Sequence, residues 1–168
     1  KRDAERQSAL VYFHNKLASL KFFDPACGSG NFLTETYLSL RKLENEAIRA
    51  FGGVALNPEW LIKVHINQFY GIEINDFAVT VAKTALWIAE SQAMKETEEI
   101  IGMKMNFLPL KSYTNIKEGN ALRMDWNELI SNKECDYIMG NPPFIGARLM
   151  GESQKAEINE IFDGVKGA

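Results

Sequence analysis

The chain has 168 residues, 46% of them hydrophobic and 24% charged, with a formal net charge of −3. That length and composition describe one globular domain with a real core and exclude a disordered or low-complexity chain; no apolar run approaches a membrane span or a signal peptide. The acidic balance argues against a self-sufficient nucleic-acid-binding domain, which presents a basic face, but leaves DNA open as a substrate where other regions supply the phosphate contacts.

Lys1-Arg2-Asp3 reads as a cut from something longer. Residues 3–17 predict a helix with Ala9, Phe13 and Leu17 on its inner face and Leu10 and Leu20 beside it, so that 1–20 form a leading helix. Residues 21–24 are short and apolar, as a buried parallel strand should be. Next comes the stretch Asp24-Pro25-Ala26-Cys27-Gly28-Ser29-Gly30-Asn31-Phe32-Leu33. It reads as the end of a strand, a tight glycine loop and a helix start. Gly28 and Gly30 let the backbone turn sharply and let a ligand come close. Loop amides and a helix N-terminus favour electron-rich groups. A carboxylate at Asp24 would repel a diphosphate but suits a cationic centre. No lysine follows Gly30 as a P-loop needs. Leu33 stands where a dinucleotide fingerprint needs a third glycine or alanine.

The helix after this loop is expected to run to about Phe51 and stop at Gly52-Gly53, with Leu33, Tyr37, Leu40, Leu43, Ala47 and Phe51 inside and Arg41, Lys42, Glu44, Glu46 and Arg49 solvated. Residues 54–66 read as an irregular connection. Residues 67–74 form a second strand, and Asn75 or Asp76 caps a third helix with Phe77, Val81, Ala85, Ile88 and Ala89 inward. That helix is expected to fade near Met94 into a solvated charge run at 95–99, with a loop over 100–112. A third strand at 113–118 ends in Asn120-Ala121, and Asp125 can cap a short helix. A fourth strand at 136–140 delivers Asn141-Pro142-Pro143-Phe144, and Ser153 can cap a last helix over 154–162. Strands alternating with helices mean βαβ units and a mainly parallel sheet. Cys27 follows one strand and Cys135 precedes another, so free thiols and a cytoplasmic protein are expected. No Cys/His cluster has metal spacing, so no metal is expected.

Three of these places can carry chemistry. Glu73 ends the second strand, where open α/β sheets place their ligands. Its carboxylate can accept hydrogen bonds from both hydroxyls of a ribose, or serve the dipole of the helix behind it; Ile74 could pack on an adenine. Asn120 ends the third strand, as a ligand acceptor or as a turn residue. In Asn141-Pro142-Pro143-Phe144 the prolines fix the backbone, so Asn141 and the Pro142 carbonyl can both accept from a planar amino group. Phe144 can stack on a flat ring. A proline turn after a buried strand is the plainer alternative.

The residues 24–33 resemble the S-adenosylmethionine-binding motif of amino-group DNA methyltransferases, and Asn141-Pro142-Pro143-Phe144 resembles their catalytic motif. The order of the two looks like the γ arrangement. The text from Phe32 to Glu46 and from Phe69 to Ala89 is similar to the methyltransferase region of MmeI-like fused restriction–modification enzymes. The resemblance implies a Rossmann-like class I methyltransferase fold, of which residues 1–168 would supply the N-terminal half, with strand order 3-2-1-4, of a seven-stranded sheet. The target recognition domain would be absent. It implies S-adenosylmethionine held by Asp24, Pro25, Ala26, Cys27, Gly28, Gly30, Asn31, Phe32, Glu73, Ile74, Asn120 and Ala121. Where the family often has an aspartate, this chain has Asn120. It implies catalysis by Asn141, Pro142, Pro143 and Phe144 on the N6 amino group of an adenine flipped out of DNA, within a restriction–modification system and with no metal. N4-cytosine, RNA guanine-N2 and protein-glutamine methylation share this geometry, and a non-catalytic S-adenosylmethionine-binding scaffold is the reading of a different class. A fourth strand at the sheet edge would be covered by the tail or would let two copies associate.

Overall fold

The computed structural model describes residues 2–51, 62–105, 115–142 and 148–163. In chain order they form α1 (Arg2–Ser19), β1 (Phe22–Asp24), α2 (Asn31–Ala50), β2 (Phe69–Glu73), α3 (Asp76–Ile101), β3 (Ile116–Glu118), β4 (Tyr137–Ile138) and α4 (Glu152–Ile161), with single 3₁₀ turns at Ile66–Gln68 and Trp126–Glu128. The four strands make one parallel sheet in the order β3-β2-β1-β4, the order that the resemblance implies. The expected Gly52-Gly53 stop, residues 54–61 of the expected irregular connection, residues 106–112 of the expected loop and the start of the third strand lie outside the described residues.

Side chains alternate across a strand, and the register sorts them. Phe22 pairs with Phe69 and Tyr137, Phe23 with Tyr70, and Asp24 with Gly71. Phe22 and Phe69 therefore face one side, where they stack at 5.2 Å. There they join Leu17 of α1, Leu33, Tyr37 and Leu40 of α2, and Val79, Ala82, Leu86 and Ala89 of α3 in the main core. Phe23 and Ile72 face the other side, under Ile130, Met124 and Trp126 from the segment after β3. Asp24, Gly71 and Glu73 share the parity of Phe22 and Phe69, so the carboxylates of Asp24 and Glu73, at the strands' carboxyl ends, lie on the side of the helical layer.

Three helices turn differently from expectation. In α1 the buried residues are His14 and Leu17, while Ala9 and Phe13 are exposed. In α2 Leu43 is exposed, whereas Arg41 and Glu44, expected in solvent, are both 0% exposed. Their charges are satisfied internally. Arg41 pairs with Glu44 and donates to Thr97 Oγ1 at 2.6 Å. Glu44 also takes the His14 ring at 2.6 Å and the amides of Lys63 and Val64. In α3 the inner stripe is Val79, Ala82, Leu86, Ala89, Ala93 and Thr97; Phe77 and Ile88 are exposed. The helix does not fade at Met94. It runs to Ile101 and ends at Gly102, in the left-handed region at φ +67. Thr97, in the supposed charge run, closes the Arg41 network and donates to Asn45 at 2.7 Å. Asn75 caps α3 by accepting from Ala78 N at 3.0 Å, and Asp125 accepts from Asn127 N at 2.9 Å. Gly151 rather than Ser153 precedes α4.

Candidate active site

The loop between β1 and α2 lies across the carboxyl end of β2. Cys27 N donates to Ile72 O at 3.0 Å, and Gly30 N turns back to Cys27 O at 2.8 Å. Gly28 and Gly30 have φ of +54 and +80, left-handed conformations that disfavour any side chain. They differ in surroundings. A Cβ on Gly30 would lie 2.9 Å from Ala82 Cβ, so α3 comes directly against the loop; a Cβ on Gly28 would meet nothing within 4 Å. The loop is thus pressed on one side and open at Gly28, where a ligand has room.

Two carboxylates meet this loop. Glu73 Oε2 accepts from Gly28 N at 2.9 Å, and its Oε1 accepts from Asn75 N at 3.0 Å. Glu73 therefore ties the end of β2 both to the loop and to the start of α3. Each oxygen keeps a further lone pair for another donor. Asp24 is 1% exposed. Its Oδ1 accepts from Ala26 N at 3.0 Å. Burial holds the Asp24 carboxyl above its ordinary pKa; the Ala26 amide opposes this, and the Glu73 charge adds to it. Among the described residues no ion pair reaches Asp24 or Glu73. The arrangement is a pair of carboxylates without a counter-ion among the described residues, beside an open glycine loop, which suits a ligand that carries positive charge and hydroxyl donors.

The turn after β4 comes to the same end. Met139 N donates to Phe23 O at 2.8 Å, which fixes this turn on β1. A Cβ on Gly140 would lie 2.5 Å from Asp24 Oδ1, so only a bare backbone fits against that carboxylate. Asn141 and Pro142 follow and are exposed. Pro143 and Phe144 lie outside the described residues. Asp24, Gly28, Glu73 and Asn141 are thereby placed at one end of the sheet.

The other candidates are placed as follows. Pro25 and Ala26 form the half-buried turn out of β1, and Asn31 is exposed at the first position of α2. Cys27 is buried, and burial, with Asp24 and Glu73 nearby, pushes its thiol up to about 12. It is a neutral packing group, and Cys27 and Cys135 are both free. Phe32 and Ile74 are exposed. Asn120 Oδ1 accepts from Leu122 N at 2.9 Å and its amide donates to Glu157 of α4 at 2.8 Å, so its carboxamide already shapes a turn and holds α4. Ala121 packs in the smaller core on the far side of the sheet. Phe77, expected inside, is instead 74% exposed on the first turn of α3, just past Glu73 and Ile74. Sequence periodicity pointed it inward; its place within two residues of the Asn75 cap was the signal that it belongs to the strand end. Gly71 and Gly140 were also missed, although a glycine within a strand signals a close backbone approach. Among the described residues no cluster of His, Cys, Asp and Glu could hold a metal, and no helix is long and apolar enough to cross a membrane.

Known proteins are similar to this chain in sequence, and a solved structure is similar in fold as well. DNA methyltransferase A of Bacillus subtilis is 40% identical over 154 residues, which cover 90% of this chain and 18% of that protein. A putative type II restriction enzyme and methyltransferase of Methanocaldococcus jannaschii is 28% identical over 144 residues, 82% of this chain and 11% of that protein. Among solved structures, the type IIL restriction–modification enzyme MmeI in complex with DNA superposes with a TM-score of 0.89 at 41% identity, covering 96% of this chain and 22% of that one. The chain thus spans between 11% and 22% of the length of these proteins. The family described as the DNA-methyltransferase domain of MmeI matches residues 1–168. A match from end to end, with a solved member superposing at a TM-score of 0.89, makes this chain a member of the MmeI DNA-methyltransferase domain family.

Proposed function

We propose that the chain is the cofactor-binding and catalytic part of an S-adenosylmethionine-dependent DNA methyltransferase acting on the N6 amino group of adenine, in a restriction–modification protein. The observation that carries this reading is the meeting of two unpaired carboxylates, an open glycine loop and the Asn141 turn at one end of the sheet. Glu73 would hold ribose hydroxyls with its remaining lone pairs, while Asp24 and Glu73 together make the pocket favourable for a cation. Exposed Ile74, Phe77 and Phe32 offer apolar surface for a purine. The cofactor supplies a methyl group already activated on a sulfonium, so no nucleophilic side chain and no metal is called for.

The chain's own work is then positioning. Asn141 Oδ1 and the Pro142 carbonyl would accept the two N–H bonds of the target amine and draw it toward the pyramidal shape that attack requires. These hydrogen bonds strengthen as positive charge grows on nitrogen, so they favour the transition state over the ground state. Phe144 would hold the flipped base by stacking. With a net charge of −3, the chain would depend on other regions of a longer polypeptide to grip and read DNA, and residues 1–168 would be one part of the methyltransferase domain.

The test uses that longer polypeptide. Asn141→Ala should keep S-adenosylmethionine affinity by calorimetry and lose turnover by about 10²–10³-fold, the loss typical of removing one transition-state hydrogen-bonding group. Mass spectrometry of the methylated DNA should find N6-methyladenine. N4-methylcytosine instead would sink the adenine assignment, and full turnover in the variant would sink the mechanism.

A further inference from the structure

The glycine loop is seated on β2 at one point. Cys27 donates its amide to Ile72 O at 3.0 Å, and its side chain lies over the Cα of Gly71. A Cβ at position 71 would be 2.8 Å from Cys27 Sγ, 3.3 Å from Cys27 Cβ and 3.2 Å from Leu33 Cδ1. Cys27 and Leu33 flank the loop, one within it and one on the first turn of α2, and both are buried. The missing side chain of Gly71 is therefore the socket into which both ends of the loop pack.

The strand cannot be the part that yields. β2 is central, held by β1 on one side and β3 on the other, and Gly71 N donates to Asn115 O at 2.9 Å. Leu33 is fixed in the main core. Interiors are too densely packed to absorb a carbon at 2.8 Å without movement. The movable part is the loop, and the residue next to Cys27 is Gly28, whose amide donates to Glu73.

We infer that Gly71 is a positioning residue of the cofactor site: by leaving room for Cys27 and Leu33 it sets the height of the glycine loop over β2, and so the alignment of Gly28 with Glu73. This rests on the S-adenosylmethionine reading for its consequence, but not for the docking itself. Cys27 belongs to the same device. Its sulfur fills the socket over Gly71.

The experiment compares the wild type, Gly71→Ala, Cys27→Ala and the double variant, each read in two ways. The first is amide hydrogen exchange without ligand. Gly71→Ala should speed exchange at the Cys27 and Gly28 amides, and adding Cys27→Ala should restore protection at Gly28, because the sulfur that collides is gone. The second is calorimetry with S-adenosylmethionine. Gly71→Ala should weaken binding by roughly tenfold, the scale of one lost hydrogen bond, and the double variant should return toward the Cys27→Ala value. If Gly71→Ala alone fails to fold while the double variant folds, the rescue supports the same conclusion. A double variant no better than Gly71→Ala in either reading would overturn it, as would unchanged exchange at Gly28. If the exchange pattern appears but the wild type takes up no S-adenosylmethionine, the docking stands and the cofactor reading falls.

Discussion

Asp24 is a carboxyl to whose charged form the folded chain offers little in return. It is buried, has one amide donor, and faces a second carboxylate, so its proton is held above the ordinary value of 3.8. The sign of the effect on stability follows. Below pH 3.8 the folded and unfolded chains both hold the proton. As pH rises above that value the unfolded chain releases it first, so stability falls until the folded carboxyl has ionised too, and the deficit then stays constant. Asp24→Asn keeps an acceptor for Ala26 N and removes the charge. The variant should melt at a higher temperature than the wild type at neutral pH, with the gap closing as pH approaches 3.8, and it should bind S-adenosylmethionine more weakly. A functional site that costs stability is a common trade. Equal melting temperatures at neutral pH would show that the charge is better solvated than its burial implies.

Within elements, the strands and the helices obeyed different rules. The short strands, the glycine loop and the place of Glu73 at a strand end were legible in the sequence because short apolar runs and glycines mark the strands and turns of a parallel sheet, whereas the strand order was what the resemblance implied. The helix faces were less legible. Counting charge as solvent-facing put Arg41 and Glu44 outside, yet they form the buried join between α1, α2 and α3, with His14, Thr97 and Asn45. Nothing local in α2 announces this, since the partners come from residues 30 positions before Glu44 and 56 after Arg41. Phe77 shows the complementary error: an aromatic at core spacing that is exposed because α3 begins only one residue before it. The Asn120 carboxamide, engaged with Leu122 and Glu157, likewise depends on α4, whose docking no local pattern gives. The buried join has its own consequence. Glu44 holds two backbone amides, a histidine and an arginine, so Glu44→Ala would strand Arg41 without its counter-ion. Removing one partner of a buried pair typically costs about 3–5 kcal/mol. Urea denaturation should find a loss of that order, and Glu46→Ala on the exposed pair with Arg49 should change little. A loss below about 1 kcal/mol for Glu44→Ala would mean that water reaches the network.

At the scale of the molecule, and among the described residues, the sheet is covered by helices on one face and open at the β4 edge. Helices α1, α2 and α3 cover the side of Phe22 and Phe69. Among the described residues, β4 pairs only with β1, and its two residues, Tyr137 and Ile138, are exposed, Ile138 at 62%. Helix α4 turns elsewhere: its Glu157 and Glu160 pair with Arg123, beyond β3. An edge strand with free amides and apolar side chains is a template for another strand. The 168-residue chain studied alone should therefore self-associate with increasing concentration, β4 against β4 or against a segment of a second copy. Charged residues on an edge block such pairing, so Ile138→Lys should shift the sedimentation profile to monomer while leaving the melting temperature within a few degrees, because position 138 is already exposed. Tyr137 is a poorer choice for this test, since its ring stacks on Phe22 at 5.2 Å and its loss would disturb the core. A wild-type chain that stays monomeric at every concentration would mean that the β4 edge is not available to a partner strand.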